Sequence, residues 1–142
     1  MDEETVRGLF HQGFVCSQVC LSELSSDVGI DDGDAKKLSA LFGSGAGRGE
    51  MCGAVSGCLM ALGMKYGNSE ADDTERMDLG MKKAKEFTDL FEAEYGSIVC
   101  RKILGYDISI PEEMKIIQEN GYFENKCPRL VLRAIEITRE IM

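Results

Sequence analysis

The chain has no tryptophan, only two prolines, a single histidine and 16 basic residues against 25 acidic ones. Each shortage excludes something. With a net charge of −9 and no basic stripe, the chain is unsuited to a phosphate backbone or an anionic membrane surface. Neither nucleic acid nor membrane is expected as a partner. The lone histidine, His11, is not part of a C-x-x-C-H motif, so covalent haem is excluded. No acidic partner for His11 can be identified from the sequence. A nucleophile–base–orienter set is therefore missing, and no enzyme activity beyond electron or thiol exchange is supported. The apolar run from Met51 to Met64 is shorter than the ~18 residues that argue for a membrane span. The start, "MDEETVRGLF", is acidic where a signal peptide is basic. A soluble, cytoplasmic protein is the expectation.

What is present reads as helix almost throughout. Residues Glu3 to Leu24 carry an apolar stripe of helical period with Gly13 inside it. "DDGDAKKLSALF" follows, with Leu38, Leu41 and Phe42 as its apolar face. A glycine-rich loop leads into a helix from about Met51 to Tyr66. The longest signal runs from Ser69, a candidate cap, to Tyr95, with Met77, Met81, Ala84, Phe87 and Phe91 on one face. "SIVCRKILG" is a short helix. Pro111 and Pro128 stand just inside the starts of two more. No alternating stretch competes. The expected fold is all-α, one compact bundle-like domain over residues 1–142 with about six to eight helices.

Six cysteines are conspicuous: Cys16, Cys20, Cys52, Cys58, Cys100 and Cys127. In a reducing compartment such a set is metal-binding or redox-active more often than it is a disulfide framework. Free cysteine also serves as a small buried hydrophobe. Cys16 and Cys20 are i,i+4, about 5–6 Å apart at Cβ, whereas a disulfide wants roughly 3.5–4.5 Å. A bridge there would strain the helix; a metal could accept both sulfurs. Cys52 and Cys58 lie about 120° apart around a helix and should not meet. No C-x-x-C exists, so neither a thioredoxin-type motif nor the usual paired zinc spacing is present. A multi-cysteine site must be assembled from distant helices.

The segment "GSGAGRGEMCGAVSGCLMALGMKYG" poses its own question. No strand signal precedes the alternating glycines and no Gly-Lys-Ser/Thr follows, so a P-loop is excluded. The glycines read as a turn that lets two helices pack closely. Cys52 falls in the first helical turn after them, where exposed N–H groups favour thiolate. Pro128 places Cys127 at another helix start. Arg101 and Lys102 beside Cys100 should favour its thiolate too.

Four blocks together carry a resemblance: "GFVCSQV", "GRGEMCGAVSGCLMALGMKYG", "FEAEYGSIVCRKILGYD" and "CPRLVLRAIE". The chain resembles, over almost its whole length and in order, the C_GCAxxG_C_C family of small redox-active proteins. A related helical domain occurs in split-Soret cytochrome c, beside a non-haem iron–sulfur centre. The resemblance implies a site made of Cys16, Cys52, Cys100 and Cys127, with Cys20 and Cys58 outside the layout. It implies no haem for this chain.

Four thiolates can ligate one iron–sulfur cluster, and the same four can cycle between dithiol and disulfide. The leading expectation is a cluster, [2Fe–2S] or related, that moves electrons to an unidentified redox partner protein. A metal-free thiol–disulfide protein, an all-cysteine zinc site and a structural domain with inert cysteines stand beside it. A homodimer is plausible for a helical protein of this size.

Overall fold

Gly13 divides the first expected helix. It adopts a left-handed conformation (φ 110°), and its N–H caps the carbonyls of Leu9 and Phe10. The computed structural model describes residues 1–142 and shows nine α-helices and no strand. They are α1 (Glu3–Gln12), α2 (Cys16–Val28), α3 (Asp32–Ser39), α4 (Gly53–Tyr66), α5 (Thr74–Tyr95), α6 (Cys100–Leu104), α7 (Pro111–Glu119), α8 (Tyr122–Asn125) and α9 (Cys127–Ile141). The all-α expectation holds. The helices beyond the expected number come from the break at Gly13 and from α8, a four-residue turn. No helix is long and apolar enough to cross a membrane.

The apolar helix α4 is the centre of the fold. Gly53 to Cys58, Ala61 and Leu62 are all buried along it. It packs on α2, α5 and α9, with its most extensive contact on α2. Its small residues make that approach possible. A Cβ on Gly57 would stand 2.7 Å from the Ser17 carbonyl oxygen and 3.0 Å from Cys20 Cβ. Burial of Leu21, Leu24, Val55, Phe87, Phe91 and Ile137 around these helices supplies the hydrophobic drive.

Two predicted faces differ from the structure. Leu38, Leu41 and Phe42 are exposed, Leu41 by 83%. Helix α3 instead buries Ala35 and Ser39, and the Ser17 hydroxyl donates to the Ser39 carbonyl at 2.7 Å. Small residues win this face because they let α3 sit close on α2. On α5, Phe87 and Phe91 are buried as expected, but Met77 and Met81 are exposed. The helix also starts later than Ser69. Asp73 caps it, accepting from the Arg76 N–H at 3.1 Å. The Arg76 guanidinium donates to the Gly67 and Lys65 carbonyls, which anchors this start to the end of α4.

Candidate redox site

Four helix N-termini carry the four cysteines of the predicted site. Cys16 is the first residue of α2, behind an extended Val15 whose N–H donates to Gln18 Oε1 at 3.1 Å. Cys52 is the N-cap of α4. Cys100 opens α6 and Cys127 opens α9. The sequence reading had placed Cys16 and Cys100 inside helices and Cys52 in a first turn. The extended N-caps Val15 and Val99 make no side-chain capping bond, so only Gln18, three residues on, marks the start of α2.

Local structure then brings the four together. Met51 and Val99 form an isolated antiparallel bridge. Beside it the Cys52 N–H donates to the Ile98 carbonyl (2.7 Å) and the Cys100 N–H to the Glu50 carbonyl (2.5 Å). Cys52 and Cys100 therefore sit on adjoining strands of chain. Lys126 Nζ donates to the Ile103 carbonyl at 2.9 Å, which fixes the start of α9 against α6. All four cysteines line one cavity of about 260 Å³, walled by side chains such as Phe10, Phe14, Ile103 and Leu130.

The glycine-rich loop serves this cavity. Ser44, Gly45, Ala46 and Gly47 are consecutively left-handed, with φ of 56°, 62°, 57° and 71°. That turn brings Ser44 to the cavity wall beside Cys16 and Gly53. The Cys52 carbonyl accepts from the N–H groups of Val55 and Ser56, at 2.9 and 3.0 Å. A Cβ on Gly53 would run into Cys16 Sγ, so glycine is what lets α4 begin beside that sulfur. Close packing and sulfur placement are the same feature here.

The thiolate expectation is corrected. Burial pushes the Cys16 thiol up and the Cys52 thiol well up; Cys100 is pushed up to about 11 and Cys127 to about 12. In each case loss of water is the largest cause, and repulsion among the clustered sulfurs adds to it at Cys52, Cys100 and Cys127. Backbone N–H dipoles near Cys16 and Cys52, and Lys126 near Cys127, act in the opposite direction and lose. Arg101 does not rescue Cys100. It pairs with Glu50 at 2.8 Å, while Asp107 adds negative charge near the thiol. Burial thus favours the neutral thiol at all four positions.

No three His, Cys, Asp or Glu side chains converge on one point as a single-ion site requires. The sulfurs surround a space instead. At its mouth His11 Nε2 lies 2.7 Å from Glu124 Oε1, so the histidine does have an acidic partner. Arg7 donates to the Glu124 carbonyl beside it. Cys20 and Cys58 are outside the cavity lining, buried between α2 and α4.

Residues 14–141 match the model of a family described as "Putative redox-active protein (C_GCAxxG_C_C)". The chain belongs to the C_GCAxxG_C_C family. No curated protein and no solved structure matches it. The resemblance carried by the four cysteine blocks is thus family membership, and the match takes in all of Cys16, Cys52, Cys100 and Cys127. Membership places this chain among redox-active, cysteine-rich proteins.

Proposed function

We propose that this C_GCAxxG_C_C protein is an electron carrier whose cavity holds an iron–sulfur cluster, [2Fe–2S] or related, through Cys16, Cys52, Cys100 and Cys127. One observation carries the reading: four cysteines from four helix starts surround a single apolar cavity. The donor chemistry fits the group. Four thiols supply the usual cluster ligands.

When bound, the cluster supplies one-electron chemistry. The chain supplies the rest. Each thiol gives up its proton on ligation, against the burial that otherwise keeps it neutral. Helix N-termini set partial positive charge around the resulting anionic sulfurs. The backbone N–H dipoles near Cys16 and Cys52 favour charge on those sulfurs and, with a cluster bound, would favour its reduced state. The aromatic and aliphatic walls limit water. The metal-free thiol–disulfide alternative is weakened by the same burial, because attack on a disulfide requires thiolate.

Single alanine substitutions at Cys16, Cys52, Cys100 and Cys127 test the assignment, with Cys58→Ala as the comparison. After anaerobic reconstitution with iron and sulfide, each of the four should lose most of the bound iron and sulfide while Cys58→Ala keeps it. Wild-type content in the four variants would overturn the assignment.

A further inference from the structure

The cavity has room for more than a small cluster. An apolar cavity of ~150 Å³ takes up benzene, whereas this one measures about 260 Å³. Roughly 110 Å³ is left beside such a ring, space for the four-atom core of a [2Fe–2S] group. The lining also changes with depth. Cys52 and Cys100, with Ile103 and Leu130, are buried at the closed end. Phe10, Phe14, Ile108 and Phe123 are half-buried toward the opening, and His11 and Glu124 are exposed at the mouth. A cluster ligated by the four sulfurs makes no use of this aromatic end.

The aromatic end is held in shape. The Phe14 N–H donates to the Leu9 carbonyl at 3.1 Å, and Lys36 Nζ stands 4.9 Å from the centre of the Phe14 ring. Arg7 donates to the Glu124 carbonyl at 2.9 Å, and His11 Nε2 lies 2.7 Å from Glu124 Oε1, so α1 and α8 are tied across the mouth. Glu124 Oε2 has no hydrogen-bond partner in the protein.

We propose that this end of the cavity binds a small hydroxylated aromatic molecule, its ring among Phe10, Phe14 and Phe123 and its hydroxyl donated to Glu124 Oε2. A flat apolar ring gains by leaving water and by edge and face contacts with the three phenylalanines. A single polar group at one end of an apolar site fixes the orientation of what enters. The carboxylate selects a ligand that donates, and it repels an aromatic acid. An ammonium ion is disfavoured because it would leave water for apolar walls. A ring bound here stands between the sulfurs and solvent. Its coexistence with a cluster rests on the electron-carrier reading; the ring site itself does not.

The test uses the full chain, metal-free and, separately, reconstituted with iron and sulfide without oxygen. Phenol is the probe, with toluene, benzoate and benzylamine for comparison. Amide chemical shifts follow binding to the metal-free protein, and equilibrium dialysis follows it in the reconstituted one. Phenol should shift the signals of Phe10, His11, Phe14 and Phe123 saturably, and benzoate should leave them in place. Glu124→Ala should weaken phenol about tenfold, the loss of one hydrogen bond to a charged group, and leave toluene unchanged. Ile108→Trp fills the aromatic end and should abolish uptake of both rings while far-ultraviolet circular dichroism shows the helices retained. Three results would overturn the proposal. One is no saturable shift at these residues with phenol. Another is phenol bound no more tightly than benzoate or benzylamine. The third is phenol held by metal-free protein but expelled once iron and sulfide are taken up, since the two would then share one space. Iron and sulfide content reports the cluster separately: protein that takes up phenol but no iron keeps the ring site and loses the cluster.

Discussion

Gly53→Ala adds one methyl group at the point where α4 meets the cavity. Its consequences can be worked out atom by atom. The new Cβ would collide with Cys16 Sγ and stand 3.1 Å from the Ser17 nitrogen and 3.2 Å from the Gly43 Cα. The sulfur can rotate away, but only by leaving its place in the cavity wall. The two backbone atoms cannot move without shifting α2 or the glycine loop. Overpacking of this kind costs typically about 1–3 kcal/mol. Gly63 lies on the same helix and an added Cβ there meets nothing within 4 Å. Gly63→Ala should therefore stabilise, by up to about 1 kcal/mol from helix propensity. The two glycine-to-alanine changes are expected to separate by about 1–4 kcal/mol, in opposite directions from wild type. Urea unfolding followed by far-ultraviolet circular dichroism measures both, and equal slopes would make the midpoints comparable. Gly53→Ala should also reduce iron incorporation, because either response displaces the Cys16 sulfur. A Gly53→Ala protein as stable as Gly63→Ala, with wild-type iron incorporation, would refute the reasoning.

Other outcomes follow from the same structure. In metal-free protein the thiols of Cys100 and Cys127 titrate near 11 and 12 instead of near 9. The native state then keeps protons that the unfolded chain has released, so stability is full below about pH 9 and falls as pH rises through 11 and 12. Each group contributes a slope of roughly 1.4 kcal/mol per pH unit in that window. Thiolate absorbance in folded and unfolded protein, with urea midpoints across the same pH range, checks it. Ala46 is left-handed without being glycine (φ 57°), so Ala46→Gly should stabilise the chain by about 1 kcal/mol in a thermal or urea melt. The His11–Glu124 pair is 64% and 54% exposed at its side chains, so His11→Ala should change stability by less than about 1 kcal/mol. A larger loss would mean that the mouth of the cavity is structurally stronger than its geometry indicates.

The helices were legible because their apolar period and their glycine and proline punctuation are strong. The cysteine blocks were legible because their order spans the chain. What escaped was set by contacts between segments. Val15 and Val99 make no side-chain capping bond, so nothing in their side chains announces that Cys16 and Cys100 open helices. Gly13, two residues before Val15, and Gln18, which accepts from the Val15 N–H, were the available hints for α2. The stripe of Leu38, Leu41 and Phe42 looked like a core face, but the close seat of α3 on α2 selects Ala35 and Ser39. His11 and Glu124 are 113 residues apart, beyond any local pattern. The thiol pKa shifts were read with the wrong sign because helix starts and neighbouring cations are visible in a sequence, whereas burial among other sulfurs is not.

The central claim is that the four-cysteine cavity holds an iron–sulfur cluster. Measuring iron, acid-labile sulfide and ultraviolet–visible absorption on protein purified without oxygen tests it most directly. The account predicts iron and sulfide in comparable amounts, with sulfur-to-iron charge-transfer bands that bleach on reduction. Protein that is colourless and free of iron and sulfide, and stays so after anaerobic reconstitution, would contradict it.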